Sequence, residues 1–537
     1  MDFHPPGVAA TLGGPDMAPL MKRPPAPVGL TPRVESMTPR TAGQQGAALL
    51  PQMTPRTVSA MDGLLQTQSL GQAFQALQNG DTRSKEAAAG ALYRMAQQEQ
   101  YKMAICRVDG GLEALMAATK DLDTAVGRQS AAGALCALSS HPGCRGVVAD
   151  RGGVHAFISL TASERAEDQA LAARGLGYLA ALDPKRSHLI DAGGAYALVC
   201  LLEASEPRIR EAAARALWNL AHRGEEYRVA VADAGSIPIL LDIAKGEHPA
   251  EAAAAAGALW NLAASPLNQR TIAELGGIPI MVMLFQEEGN TGAQLAAAGA
   301  LCNLMLLSEN RVAIVEAGVV KALVEAMECG HPSLKPTVAR ALYVLARDQA
   351  GCAAIADGGG CQPLTVEVAN GNDMAAWALK GLISFKSSRT AVLQAGGVQA
   401  LCAMLRTPST KAAGLEAAAW SLKILTDSSR SHNEMDRQPG LEPVSGDVMR
   451  GDGINALLVG MASKHASPLS TEGAARALWN LSYQEAEARR VLAETGPLAR
   501  IIQLARSSQP SECRQAAAGV LWNLLMARPV QQAVLSA

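Results

Sequence analysis

Apolar residues recur at helical spacing from about Gly63 onward, starting with Leu64, Leu65, Leu70 and Phe74. Spacing of three and four residues predicts amphipathic helices. Residues 267–305 show how these helices are grouped. A short helix reaches Gly276 and Gly277, a second helix follows, and a long Ala-rich third helix comes after a polar loop at residues 287–291. Each unit is therefore predicted to contain three helices.

The Gly-Gly pair explains the turn between the first two helices of that unit. Glycine adopts the positive φ that ends a helix, and a glycine that starts the next helix lets it pack closely against the turn. Equivalent glycines mark the other turns. They are Gly110, Gly152, Gly193, Gly235, Gly276, Gly318, Gly358 or Gly359, Gly396, Gly453 and Gly496. The first five intervals are 42, 41, 42, 41 and 42 residues, so one structural unit repeats along the chain.

A second marker recurs on the third helices, in eleven copies. Its clearest form is Ala-Leu-Trp-Asn-Leu at residues 216–220, and related wording returns at 258–262, 300–304, 477–481 and 520–524. Units of this kind leave apolar faces open and are stable only when stacked. The sequence therefore predicts one all-α body over residues 61–537, with about ten repeats and a partial terminal repeat.

Two intervals depart from the period. The interval ending at Gly396 is shorter by about four residues, and the interval from Gly396 to Gly453 is longer by about fifteen. The extra residues fall at about 427–451, a segment rich in Ser, Asp, Arg, Gly and Pro. This composition predicts a surface loop inserted without interrupting the stack.

Residues 1–60 differ from the rest of the chain. They hold eleven of the 28 prolines and show little hydrophobic periodicity. Such a segment cannot bury enough apolar surface to offset the entropy of ordering. We expect a disordered Pro-rich tail.

Composition and charge narrow the function. The net charge of −2 provides no global field for nucleic acid or an anionic membrane. No run of about 18 apolar residues is free of polar breaks, the N-terminus lacks a signal peptide's apolar stretch, and Asp2 stands where myristoylation needs glycine. Ten scattered cysteines show no Cys-x-x-Cys pair, which favours reduced thiols in the cytoplasm or nucleus. We expect a protein with no membrane anchor and no nucleic-acid partner.

Motifs for catalysis are lacking in the sequence. The glycines at 358–360 occupy a repeat turn and lack the spacing of a phosphate loop, and the nine histidines form no His-Glu-x-x-His motif. No constant relation of His to Asp or Ser indicates a triad. We expect a non-enzyme without a cofactor or metal.

The period, the three helices, the glycine turn and the Ala-Leu-Trp-Asn-Leu phrase together resemble armadillo repeats. The resemblance covers about 470 residues, and the wording is similar to β-catenin and, still more, to plant ARABIDILLO proteins, which combine armadillo repeats with an F-box. No F-box-like or U-box-like segment is visible in the sequence. The resemblance implies a right-handed α-solenoid superhelix whose third helices line a concave groove.

In armadillo proteins, an Asn that recurs on the third helices hydrogen-bonds the main chain of an extended partner peptide. A carboxamide suits this role because it can donate to a carbonyl and accept from an N–H. Some of these residues could instead bond only to neighbouring repeats. The resemblance places this peptide-binding role at Asn219, Asn261, Asn303, Asn480 and Asn523. The equivalent positions elsewhere are Arg94, Ala137, Tyr178, Val344, Gly381 and Ile424, so the ladder is interrupted.

The residue four positions before the Asn lies on the same helix face. Import receptors of the armadillo class place Trp there beside Asn, whereas this chain pairs its Asn residues with Arg or Gly. Four arginines at this position favour acidic partner segments, with solvated surface arginines as the alternative. They are Arg174, Arg215, Arg340 and Arg476. Trp218, Trp260, Trp479 and Trp522 precede the Asn directly, and we expect them to pack in the core or between repeats.

Three Thr-Pro-Arg motifs lie in the tail, at Thr31, Thr38 and Thr54. Proline-directed kinases favour such sites, although chance occurrence in a Pro-rich segment is an alternative. Phosphates there could fold back onto the arginine-lined groove as an internal competitor.

These features predict a non-enzymatic scaffold or adaptor that binds extended, acidic segments of protein partners. A substrate adaptor of a ubiquitin-ligase complex is one alternative, and it needs a separate catalytic subunit. A nuclear transport adaptor is another, but the tail has only Lys22-Arg23 as adjacent basic residues. The partner and the oligomeric state are not specified by the sequence.

Overall fold

The computed structural model describes residues 58–287, 289–427, 444–450 and 452–536. Residues 65–537 form one compact unit, separate from residues 1–64. The described residues contain 33 α-helices and one short 3-10 helix, Asp183–Lys185. Numbered along the chain, the α-helices recur in sets of three.

The first helices of the repeats are α3 (Glu99–Cys106), α6 (Pro142–Asp150), α9 (Arg186–Asp191), α12 (Glu225–Asp233), α15 (Pro266–Glu274), α18 (Ser308–Glu316), α21 (Gln349–Asp357), α24 (Lys386–Gln394), α27 (Val444–Arg450), α30 (Ala486–Leu492) and α33 (Arg528–Ser536). The second helices are α1 (Val58–Asn79), α4 (Gly111–Asp121), α7 (Gly153–Thr161), α10 (Gly194–Leu202), α13 (Ser236–Ala244), α16 (Gly277–Gln286), α19 (Val319–Glu328), α22 (Cys361–Ala369), α25 (Gly397–Arg406), α28 (Gly453–Met461) and α31 (Thr495–Arg506).

The third helices are α2 (Thr82–Ala96), α5 (Ala125–Ser140), α8 (Ala166–Ala180), α11 (Pro207–Leu220), α14 (Pro249–Leu262), α17 (Thr291–Leu304), α20 (Lys335–Leu345), α23 (Asp373–Ser384), α26 (Ala412–Asp427), α29 (Pro468–Gln484) and α32 (Ser511–Met526). Each packs on the third helices of its neighbouring repeats. Most second helices likewise contact the second helix of the next repeat. One continuous core of buried Ala, Leu, Val and Ile runs between these layers, from Leu70 to Val530.

The turn at residues 276–277 shows why the two predicted glycines are needed. Gly276 has φ +76°, in the left-handed region that favours glycine. A Cβ on Gly277 would lie 2.7 Å from the carbonyl oxygen of Ile272 and 2.5 Å from its Cγ2. The close packing of the second helix against the end of the first therefore excludes any side chain at Gly277.

Three predicted turns differ in detail. Of the two glycines considered at residues 358–359, Gly359 is the left-handed one, with φ +79°. Before Gly453 the left-handed residue is Asp452, with φ +56°, a conformation that Asp tolerates better than most residues. Gly496 was wrongly placed in a turn, because it lies inside α31.

The predicted insertion at about 427–451 also needs correction. Residues 444–450 form α27 rather than part of a loop, and Val448 in that helix is fully buried. A Cβ on Gly453 would lie 2.6 Å from the carbonyl oxygen of Val448, the same close approach as at Gly277. The segment therefore supplies the first helix of its repeat, while residues 428–443 lie outside the described part of the chain.

Candidate functional site: the third-helix face

The candidate site is the surface made by consecutive third helices, here called the third-helix face. We number each third helix from its Asn position, so that Trp260 is at position −1 and Gly257 at position −4 relative to Asn261. Asn219, Asn261 and Asn303 lie on three successive third helices, α11, α14 and α17. The fold thus brings these three predicted site residues into one row.

Each of the three Asn side chains hydrogen-bonds the preceding third helix. Nδ2 of Asn219 donates to the Gly177 carbonyl at 3.1 Å, Asn261 to Trp218 at 2.8 Å, and Asn303 to Trp260 at 2.9 Å. These acceptors lie in the last turn of their helices, where carbonyls have no intrahelical partner. The Asn side chains therefore cap the preceding repeat, which is the structural alternative considered for them.

The two later Asn residues make different bonds. Nδ2 of Asn480 lies 3.3 Å from Oγ1 of Thr426. Nδ2 of Asn523 lies 2.9 Å from Oγ of Ser482 and 3.4 Å from the Trp479 carbonyl. Asn480 thus bonds the preceding repeat through a hydroxyl group. Asn523 combines a hydroxyl contact with a longer bond to the same position −1 carbonyl that the Asn residues of α11–α17 use.

The carboxamide oxygens distinguish the members of the row. Nη2 of Arg340 donates to Oδ1 of Asn303 at 3.2 Å. Among the described residues, no donor is found for Oδ1 of Asn219 or Asn261. Asn219 is half-buried, and Asn261 is 6% exposed. These two oxygens therefore retain acceptor capacity.

The four predicted arginines have different surroundings. Arg215 pairs with Glu211 at 2.7 Å and Arg476 pairs with Glu472 at 2.8 Å, each within its own helix. Arg340 is held by Asn303, and Arg174 lies beside Cys136 and Tyr178. The two Glu residues lie one turn before their arginines, so the face is less positive at Arg215 and Arg476 than the sequence predicts.

Four aromatic residues at position −1 pack against glycines at position −4 of the next third helix. A Cβ on Gly133 would lie 2.8 Å from the Tyr93 ring, and one on Gly257 would lie 2.7 Å from the Trp218 ring. Gly299 meets Trp260 and Gly519 meets Trp479 in the same way. Inter-repeat packing is confirmed for these three Trp residues, but the prediction is wrong for Trp522, which is 66% exposed.

Arginine replaces glycine where position −1 of the preceding helix is small. Cys136 precedes Arg174, Gly177 precedes Arg215, and Cys302 precedes Arg340. Burial raises the pKa of the Cys302 thiol to about 11, against a smaller opposing effect of the Arg340 guanidinium. A small residue thus leaves space for an arginine stem where a Trp ring is followed by glycine. This alternation was not predicted, although the residues that carry it are visible in the sequence.

The interrupted part of the row is built differently. Tyr343 and Trp377 lie with ring centroids 6.1 Å apart, and Nζ of Lys380 lies 4.3 Å from the centre of the Trp377 ring. Nε1 of Trp420 donates to the Leu469 carbonyl at 3.1 Å. From α20 to α26 aromatic packing therefore takes the place of the Asn bonds.

The predicted phosphorylation sites Thr31, Thr38 and Thr54 lie outside the described residues. In the part of the chain that is described, no cluster of three or more His, Cys, Asp and Glu side chains could hold a metal ion. None of the described helices has the length and apolar character needed to cross a membrane.

The chain is similar to a known repeat family and to solved structures. The model of the Armadillo/beta-catenin-like repeat matches residues 183–222, 265–306 and 387–427. No curated protein matches the chain. An engineered protein solved by the Northeast Structural Genomics Consortium is similar over 85% of this chain and 98% of its own, with 26% identity and a TM-score of 0.60. A second engineered protein from the same consortium covers 44% of this chain and 96% of its own, with 29% identity and a TM-score of 0.42.

Armadillo solenoids are typically non-enzymatic scaffolds for interactions between proteins. The matched segments each begin near a first helix and include the glycine turn between the first and second helices. Together with the recurring three helices, they show that the chain contains armadillo-like repeats and that its described helices form an all-α armadillo-like solenoid.

Proposed function

We propose that the protein is a non-enzymatic scaffold that binds an extended segment of a partner protein across α11, α14 and α17. The observation that carries the proposal is the row of Asn219, Asn261 and Asn303. Bonds to the preceding helices fix the orientation of these carboxamides. A fixed polar row is suited to reading the main chain of an extended peptide.

The oxygens of the row define the extent of the proposed site. Oδ1 of Asn219 and of Asn261 can each accept an N–H from a bound main chain. At Asn303 the same oxygen already accepts from Arg340, so a peptide must compete there. The proposed contact is therefore centred on α11 and α14 and ends at α20.

The charges of the face qualify the preference for acidic segments. Arg215 is paired with Glu211, and an exposed pair of this kind is weak and screened by salt. An acidic side chain of a partner would have to replace Glu211 beside Arg215. The loss of the Arg215–Glu211 attraction would offset part of the attraction that the partner gains. We propose that acidic selectivity comes mainly from Arg174 and Arg340, which flank the Asn row on either side.

The ten cysteines are unpaired, which supports the proposal of a reducing compartment, the cytoplasm or the nucleus.

The experiment is a display selection of short linear peptides against the full chain. We expect enriched peptides to bind in a salt-dependent way, with acidic residues at constant spacing. The same peptides should lose affinity for the double variant Asn261→Ala/Asn303→Ala. Failure to enrich any peptide would count against the proposal.

The control variant is Asn268→Ala/Asn310→Ala. Nδ2 of Asn268 donates to the Leu262 carbonyl at 3.1 Å, and Nδ2 of Asn310 donates to Leu304 at 3.0 Å. Both residues cap third helices from the first helices α15 and α18, away from the third-helix face, and both are 5% exposed. The two double variants lose similar capping bonds, so a difference in binding reports the face itself.

A further inference from the structure

The last third helix exposes apolar side chains that equivalent helices cover. Trp522 occupies position −1 of α32 and is 66% exposed, and Met526, one turn later, is 68% exposed. In α2, α11, α14 and α29 the aromatic residue at position −1 packs on the glycine of the next third helix. Among the described residues, Trp522 therefore lacks the glycine contact that its four counterparts make.

The first third helix shows the opposite feature. Gly90 occupies position −4 of α2, where other helices receive an aromatic ring from the preceding repeat. Among the described residues, a Cβ on Gly90 would meet only Nη1 of Arg94, at 3.6 Å. Ala87 is exposed and Ala91 is half-buried on the same part of the helix. A small-residue surface thus stands open at this end of the described solenoid.

The exposed surfaces of α32 and α2 carry opposite charges at the same helix position as an ion pair between two neighbouring repeats. Oε1 of Glu167 in α8 lies 2.9 Å from Nη2 of Arg208 in α11, and both residues stand at position −11 of their helices. Position −11 is Glu512 in α32 and Arg83 in α2, and both are exposed. The sign order from the preceding helix to the following one is identical.

We propose that the protein associates head to tail with a second copy of itself, with Trp522 of one copy packed on Gly90 of the next and Glu512 opposite Arg83. The contact continues the stacking of third helices from one molecule into another. Because the two surfaces differ, the interface is heterologous, and it builds rings or open chains rather than a closed symmetric dimer.

Sedimentation velocity of the full chain over a range of concentrations tests the proposal. We expect the wild-type mass to rise with concentration. Trp522→Ala and Gly90→Leu should each raise the apparent dissociation constant at least about ten-fold, because each disables one side of a buried aromatic contact. An equimolar mixture of the two variants retains one intact pair of surfaces and should form a species of two copies and no larger.

Matched substitutions control for general effects on the surface. Leu267 is 70% exposed on α15, and a Cβ on Gly146 of α6 meets no described atom within 4 Å. Leu267→Ala and Gly146→Leu should leave the association unchanged. Glu512→Arg should weaken it, and Arg83→Glu in the same chain should restore it. Circular dichroism verifies that each variant is folded.

Three results would overturn the proposal. The wild type could remain a monomer at every concentration. Association could be lost in Trp522→Ala but unchanged in Gly90→Leu, which would indicate a tail-to-tail contact or another occupant of the C-terminal surface. The mixture of variants could also fail to form the two-copy species.

Discussion

Wherever Trp occupies position −1 and a described third helix follows, position −4 of that helix is glycine. The Trp218 ring leaves no room for a side chain at Gly257, whereas the small Cys136 and Cys302 are followed by Arg174 and Arg340. Protein interiors are close-packed, so even a single methyl group at such a contact is felt. Individual residues thus specify how closely two repeats approach.

We therefore predict that Gly257→Ala destabilises the protein, while Gly90→Ala does not. Both substitutions improve helix propensity by up to about 1 kcal/mol. At Gly257 the new methyl group would lie 2.7 Å from the Trp218 ring, and overpacking of this kind costs about 1–3 kcal/mol. Thermal denaturation should give a lower midpoint for Gly257→Ala and an equal or higher one for Gly90→Ala. Equal midpoints would show that the ring moves freely.

Thiol reactivity is a second prediction at this scale. Cys200 and Cys329 are exposed, whereas the other eight cysteines are buried. Burial raises the pKa of Cys136 and of Cys302 to about 11, so few thiolates form there at neutral pH. Mass spectrometry should detect two rapid maleimide adducts on the folded protein and ten after denaturation. Rapid labelling of Cys136 or Cys302 would contradict the described packing.

Within a third helix, the Asn side chain caps the preceding helix, while the neighbouring aromatic ring packs on the following one. The sequence predicted the boundaries of α15, α16 and α17 because glycine, proline and polar residues mark the turns. It left the capping role of the Asn row as an alternative to peptide binding, since the orphaned carbonyl lies about 42 residues earlier in another helix. Nor did it predict α27, because a Ser-, Asp- and Gly-rich composition conceals a short helix held by tertiary burial of Val448.

An ion pair between α11 and α14 supplies a prediction at the scale of elements. Arg210 makes a bidentate contact with Glu251, whose side chain is 5% exposed, whereas Arg208 and Glu167 form an exposed pair. Arg210→Met leaves a buried carboxylate without its partner and should cost about 3 kcal/mol. Arg208→Met should cost less than about 1 kcal/mol.

Urea denaturation, monitored by hydrogen exchange in α11 and α14, measures the free-energy change of both variants. Adding Glu251→Gln to Arg210→Met should recover part of the stability. An equal loss of stability in Arg210→Met and Arg208→Met would show that the buried pair contributes no more than the exposed one.

At the scale of the whole molecule, the period of about 42 residues, the glycine turns and the recurring Ala-Leu-Trp-Asn-Leu phrase together predicted the solenoid. Each repeat buries its apolar faces on its neighbours, so the same contacts recur from α2 to α32. The period could not show that Arg215 and Arg476 are paired with Glu211 and Glu472. Each pair depends on a Glu one helical turn before the Arg, which the repeat itself does not specify. Regular packing is thus read directly from a repeat, whereas the charge of a face depends on side-chain geometry.

The central claim is that the Asn row on α11, α14 and α17 binds an extended peptide in addition to capping the preceding helices. Calorimetric titration of one selected peptide into the two double Asn variants tests it most directly. The account predicts weaker binding by at least about ten-fold in Asn261→Ala/Asn303→Ala and unchanged binding in Asn268→Ala/Asn310→Ala, at similar stability. Equal affinities for both variants would contradict it.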